Sequence, residues 1–128
     1  DRLIDVIVSD HLPEDEESKR LPIAQAATGA IGVETLLSLS LEMYHNESLP
    51  LNKIIETLTI NPAKILKIKK GSLAKGSDGD ICILDLEAPW AVRADKLKSK
   101  SKNTAIEGRK LQGKVLMTFL NGHLAFNQ

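Results

Sequence analysis

Apolar residues change their spacing twice along this chain, and the changes mark out its parts. Over residues 3–8, Leu3, Ile4, Val6, Ile7 and Val8 surround a lone Asp5. Such a short, nearly continuous apolar run predicts a strand buried on both faces, as in a parallel sheet covered by helices. Ser9-Asp10-His11 and Pro13 end it, because proline cannot donate to a sheet ladder. Residues 14–20 are charged, lack a hydrophobic period, and read as a loop over the end of that strand. The spacing then becomes helical. Val33, Leu36, Leu37, Leu41 and Tyr44 share one face of a helix predicted over 33–45, after Gly29 and Gly32. A turn over 46–50 leads to a second helix over 51–59, with Ile54, Ile55 and Leu58 as its buried stripe. Asn61-Pro62 reads as a helix cap followed by proline in the first helical position, opening a short helix that ends by Gly71.

Beyond Gly71 the period becomes two. Ile81, Ile83 and Asp85 alternate with Cys82, Leu84 and Leu86, and Trp90 with Val92 suggests another short strand. Residues 95–108 read as a long polar loop. Asn121-Gly122, between alternating segments, is a strong two-residue hairpin signal, since both positions accept positive φ. That turn predicts Phe119 opposite Leu124 and Met117 opposite Phe126, giving with Val115 one apolar face that must cover another layer. Two parts result: residues 1–70, a strand followed by helices, and residues 71–128, a β portion. A strand shielded on both sides needs neighbours, and nothing before Gly71 supplies them, so the first part reads as incomplete.

Composition narrows the function classes. Aromatic residues make up only 3% of the chain, so aliphatic side chains must build the core. Seventeen basic residues balance 17 acidic ones, which argues against a nucleic-acid surface. The basic residues between Lys96 and Lys110 are broken by Glu107, contain no aromatic, and read as solvated. A single cysteine, Cys82, allows neither a disulfide framework nor a zinc–thiolate site within the chain, and fits a cytoplasmic setting. No apolar stretch approaches the length of a membrane span. Asp1-Arg2 leads straight into the apolar run without an initiator methionine, so a truncated or cleaved start is expected.

Asp10 is the main candidate for chemistry. The carboxyl ends of strands are where barrel and open-sheet enzymes carry catalytic groups. A carboxylate there can ligate a metal and exchange a proton during hydrolysis; an aspartate after a strand can equally serve as a turn or cap. His11 would point the opposite way and reads as a hydrogen-bonded support beside a metal site rather than a ligand, or as a surface histidine.

A resemblance enters through several collinear motifs. Ile4-Asp5-Val6-Ile7-Val8-Ser9-Asp10-His11-Leu12-Pro13 resembles the eighth barrel strand of dihydroorotases, in the amidohydrolase superfamily. Gly29-Ala30-Ile31-Gly32-Val33-Glu34-Thr35 resembles the glycine-rich stretch opening that family's next helix, and Leu58-Thr59-Ile60-Asn61-Pro62-Ala63 a helix start further on. Gly71 to Gly76, continuing through Gly79-Asp80-Ile81, resembles the entry to its small β domain. Ser99-Lys100-Ser101-Lys102-Asn103-Thr104 and Gly113-Lys114-Val115 through Asn121-Gly122 resemble its tail, and the former points most narrowly to dihydroorotases among cyclic amidases.

The resemblance implies an α/β protein: the C-terminal part of a metal-dependent TIM-like (β/α)8 barrel over 1–70, and the C-terminal portion of a small β-sandwich domain over 71–128. It implies reversible, zinc-dependent cyclisation of N-carbamoyl-L-aspartate to L-dihydroorotate, with one or two Zn2+ ions whose other ligands lie outside this chain. Asp10 would match the catalytic, metal-binding aspartate. Backbone groups around Ala27, Thr28 and Gly29 would meet the amide edge of the substrate ring. Many relatives carry a second histidine where Glu14 stands, so a positive charge from Arg20, or else Lys19, would have to offset it toward the substrate carboxylate. The implied partners are the remaining N-terminal part of the same enzyme, a small-molecule substrate, a second copy in a homo-oligomer, and aspartate carbamoyltransferase; neither nucleic acid nor membrane is expected. Two other readings stay open: an inactive dihydroorotase-like subunit that scaffolds aspartate carbamoyltransferase, and a related cyclic amidase acting on hydantoins, dihydropyrimidines or allantoin.

Overall fold

The computed structural model describes residues 3–128; the Asp1-Arg2 start lies outside them. Four α-helices precede three strands: α1 (Glu16–Lys19), α2 (Leu36–His45), α3 (Leu51–Leu58), α4 (Ile60–Ile65), β1 (Ile81–Ala91), β2 (Lys110–Leu120) and β3 (His123–Asn127). A 3-10 turn, Ala94–Lys96, follows β1. The strands form one antiparallel sheet in the order β1-β2-β3. Among the described residues there is thus an open three-stranded sheet and no closed barrel.

Residues 3–8 do not form the expected strand. Their backbone meets the helices at two points: Ile7 N donates to Thr57 O at 3.2 Å, and Asn61 Nδ2 donates to Asp5 O at 2.8 Å. A strand requires a neighbour that answers its N–H and C=O groups in series. Among the described residues the sheet-like pairing nearby is the isolated parallel bridge between His11 and Ala30. Leu3 is 90% exposed, and Ile4 and Val8 are also open to solvent.

The loop expected at 14–20 contains α1, one turn capped by the Asp15 carboxylate, which accepts from Glu17 N. The helix expected from Val33 begins three residues later at Leu36; a single turn precedes it, in which the Gly32 carbonyl accepts from Thr35 N and Leu36 N. Its buried side carries Ser38, Ser40 and Leu41, while Val33 is exposed. Small side chains there let the sheet approach closely. Ser38 Oγ donates to Gly113 O at 2.7 Å, and Trp90 Nε1 lies 3.1 Å from both that oxygen and Ser38 Oγ. Gly113 is at φ +97°, and a Cβ there would run into Leu41 Cδ1, so another residue at this crossing of α2 over β2 would be strained in its backbone and would push the Leu41 side chain aside.

Asn61 is not the cap expected of it. Thr59 precedes α4 and Asn61 lies inside it, its side chain spent on Asp5 O. Trp90 belongs to the long β1 rather than to a separate strand; the register shifts between Asp85 and Pro89, where Asp85 Oδ1 accepts from Glu87 N and Ala88 N. Such a bulge is where a proline fits in a sheet. Phe119 does pair with Leu124, but a second shift at Thr118/Phe119 sets Phe126 opposite Thr118 and Met117 opposite Asn127.

The core joins both halves of the chain. Ile31, Val92, Leu97 and Leu111 are buried together, with Leu39, Trp90 and Ile106 packed around them. Ile31 also forms a parallel bridge with Thr104, so the segment after β1 returns to the glycine-rich turn before α2.

Candidate functional site

Two backbone segments meet at the site. Residues 9–12 run against residues 29–32 with almost no space between them. A Cβ on Gly32 would lie 2.8 Å from Ser9 O, and one on Gly29 (φ +116°) 2.8 Å from Leu12 O. Both glycines are therefore required by close approach, one also by its φ. The contact is stitched by Leu12 N donating to Ala30 O at 3.0 Å.

Asp10 sits at this junction with φ +43°, in the left-handed region that short polar residues tolerate. It lines an open cavity of about 470 Å³ together with Ile7, Gly29, Ala30, Leu39 and Met43. Among the described residues its carboxylate has no hydrogen-bond or ion-pair partner. His11 faces elsewhere and does not line this cavity. Its Nδ1 accepts from Gly32 N at 3.1 Å and Val33 N at 3.3 Å. A ring nitrogen that accepts carries no proton, so the imidazole proton sits on Nε2. His11 thereby braces the turn into α2 and makes no contact with Asp10.

Ala27, Thr28 and Gly29 form a strip beside α1. Lys19 Nζ donates to Ala27 O and Gly29 O, both at 2.5 Å, and Ala27 N donates to Ser18 O. Thr28 is exposed. Arg20 reaches none of these groups: its guanidinium pairs with Glu16 at 2.6 Å and Glu17 at 2.9 Å on the surface of α1. Of the two cations next to each other in sequence, it is Lys19 that meets the strip. Sequence reasoning gave it second place, since carbonyls 8 and 10 residues away leave no signal in a charged loop.

Asn103, which the sequence offers only as part of a motif, joins the site. Its Nδ2 donates to Gly29 O at 3.3 Å, its Oδ1 accepts from Glu14 N at 3.4 Å, and its carbonyl accepts from Ile31 N. Ser101 Oγ donates to Glu14 O at 2.6 Å. Glu34 caps the same loop by accepting from Lys98 N and Ser99 N. The segment between β1 and β2 is thus a strap fastening the two loops that flank Asp10.

Among the described residues no three His, Cys, Asp or Glu side chains come together to hold a metal. A free carboxylate opening on a cavity fits a single metal ligand, so further ligands would have to come from outside this chain. Nor is any described helix long and apolar enough to cross a membrane.

Comparison with known proteins places this arrangement. The sequence model of the amidohydrolase family matches residues 3–125. The chain is 44% identical over 124 residues to the dihydroorotase of Ehrlichia chaffeensis, covering 97% of this chain and 28% of that protein. It superimposes on the L-hydantoinase (dihydropyrimidinase) of Arthrobacter aurescens with a TM-score of 0.75 and 31% identity, over 82% of this chain and 24% of that one. The dihydropyrimidinase of Brevibacillus agri shares the fold, with a TM-score of 0.90 at 21% identity over 96% of this chain and 28% of that one. The chain belongs to the amidohydrolase family. It spans under a third of the length of the relatives it matches.

Proposed function

We propose that the complete protein containing this chain is a dihydroorotase, closing N-carbamoyl-L-aspartate to L-dihydroorotate and reopening it. Support comes from the dihydroorotases that match nearly the whole chain at 38–44% identity, and from the Ser101–Asn103 strap that draws the resemblance toward that branch. In this reading residues 1–70 complete a (β/α)8 barrel and residues 71–128 belong to its small β domain. Asp10 would hold zinc together with ligands from the missing part of the barrel. When bound, zinc polarises the amide carbonyl as a Lewis acid and makes water nucleophilic near neutral pH. The chain's own part is narrower. Asp10, unpaired among the described residues and lining the cavity, takes a proton as the ring amide is attacked and returns one in ring closure. Within the strip from Ala27 to Gly29, where Lys19 already binds the Ala27 and Gly29 carbonyls, the backbone groups left for the amide edge of the ring are those of Thr28 and the Gly29 N–H. Lys19, rather than Arg20, stands beside that strip.

The observation that carries this reading is a carboxylate, unpartnered among the described residues, at a glycine-enforced backbone junction. Replacing Asp10 with asparagine in the complete enzyme removes the base and weakens metal binding while adding no bulk. Turnover should fall to background in both directions, with thermal stability close to that of the parent. Near-normal turnover by Asp10→Asn would refute the role. The 31% identity to an L-hydantoinase favours one competing reading, a cyclic amidase for hydantoins. Assaying the parent enzyme on dihydroorotate, a hydantoin and dihydrouracil side by side distinguishes the two.

A further inference from the structure

The Gly29 carbonyl receives two donors from distant parts of the chain, Lys19 Nζ at 2.5 Å and Asn103 Nδ2 at 3.3 Å. Lys19 is half-buried, and no carboxylate pairs with it among the described residues. Its charge is spent on backbone oxygens. A trans peptide is planar, with its C=O and N–H pointing in opposite directions. Holding the Gly29 oxygen on the side of α1 and the strap therefore turns the Ala30 N–H away from them. Ala30 is the residue that bridges to His11, immediately after Asp10. A line of covalent geometry and hydrogen bonds thus runs from Lys19 and Asn103 to the Gly29 carbonyl and, one peptide further on, from Ala30 O to Leu12 N at 3.0 Å, two residues after Asp10.

We propose that Lys19 and Asn103 are joint positioning residues that set the place of Asp10 by clamping the Gly29 carbonyl from two sides. The proposal rests on Asp10 being the group that must be placed, as argued above. Neither residue has to touch substrate for this role. Asn103 contributes a second link, because its Oδ1 fixes Glu14 N on the other flank of the site. The strap delivered by the β portion is in this sense part of the site's scaffold.

The test is a double-mutant cycle in the complete enzyme: Lys19→Met, Asn103→Ala, and the two combined. Two readouts are followed, steady-state kinetics on dihydroorotate and carbamoyl aspartate, and hydrogen exchange across residues 27–32. Each single change should lower kcat/KM roughly 10- to 100-fold, mostly through kcat, as expected when a reacting group is misplaced. Because both act on one carbonyl, the double variant should be little worse than the poorer single. Exchange over 27–32 should rise in each and no further in the combination, while 81–91 stays as in the parent. Lys19→Gln keeps an N–H donor and should recover part of the loss; it replaces Lys19→Met in the cycle if that variant does not fold. Additive losses, or unchanged exchange over 27–32, overturn the proposal. A parent enzyme inert toward dihydroorotate would overturn the functional reading alone, and the exchange cycle would still decide this one.

Discussion

Gly32 shows how tightly the site is specified at the scale of a single residue. Its backbone angle is not what excludes other residues; the Ser9 carbonyl 2.8 Å from where a Cβ would stand is what does so. The obstacle is main chain and cannot swing aside as a flexible side chain would. Gly32→Ala in the complete enzyme should therefore displace residues 9–10, costing about 1–3 kcal/mol of stability as overpacking does. It should also lower kcat/KM, because Asp10 is the next residue. Chemical denaturation with steady-state kinetics checks both, and an alanine variant equal to the parent in both would show that the two segments do not meet as described. Asp10 stands out in the sequence because strand ends collect chemistry, and the structure sets it in the wall of a cavity although no strand forms before it. Lys19 does not stand out, because a lysine in a run of charges looks like any solvated lysine until the carbonyls around it are known. Arg20, attractive for its forked guanidinium, is held by two glutamates of its own helix.

At the scale of elements, the Asn121-Gly122 hairpin was readable in advance, since few dipeptides accept two positive φ angles in succession. Asn121 takes φ +50° and Gly122 φ +77°. Its register was only half readable: the shift at Thr118/Phe119 leaves Phe119 opposite Leu124 but moves Met117 off Phe126, and a bulge writes no clear mark in an alternating pattern. What anchors the turn was also hidden. Asp80 accepts from Asn121 N at 2.8 Å and pairs with Lys70, which also meets Asp78. The Asn121 N–H first, and Lys70 second, hold the Asp80 carboxyl below its ordinary 3.8. The hydrogen bonds that Lys70 donates to Asp78 first, and to Asp80 second, hold its ammonium above its ordinary 10.5. A lowered carboxyl stabilises the folded hairpin fully above pH 3.8 and loses that contribution as pH falls through the folded value. A raised ammonium contributes fully below pH 10.5 and loses its share as pH rises through its own. The anchor is solvent-exposed, so its effect is small and screened by salt. The Asn121 amide resonance should accordingly titrate with a midpoint below 3.8 in the parent. It should show no such step in Asp80→Asn, and an acid step surviving that substitution would assign it to another group.

At the scale of the whole molecule, the exposed apolar residues show where this chain is meant to be covered. Leu3 is 90% and Ile23 97% exposed, with Ile4 and Val8 beside Leu3 also open. Aliphatic side chains so exposed next to a candidate catalytic residue mark a surface that another part of the molecule occupies. The small core shared by Ile31, Val92, Leu97 and Leu111 joins the helical and β parts but leaves that edge untouched. The buried strand expected at 3–8 from its apolar pattern does not form, and Leu3, Ile4 and Val8 are exposed: an apolar run signals a tendency to be covered, but pairing requires a neighbouring strand. The same substitution should then act with opposite sign in two settings. Ile4→Lys in the isolated chain removes an exposed apolar group and should reduce self-association and hydrophobic-dye binding, with little effect on unfolding. If the complete protein closes the proposed barrel over this edge, the same change would bury an unpaired charge among other strands there and should cost about 3–5 kcal/mol, or prevent folding. Sedimentation and dye binding on the isolated chain, set beside denaturation of the complete enzyme, measure the contrast. If Ile4→Lys leaves the complete enzyme as stable as the parent, residue 4 faces water there, and the barrel cannot close over this edge.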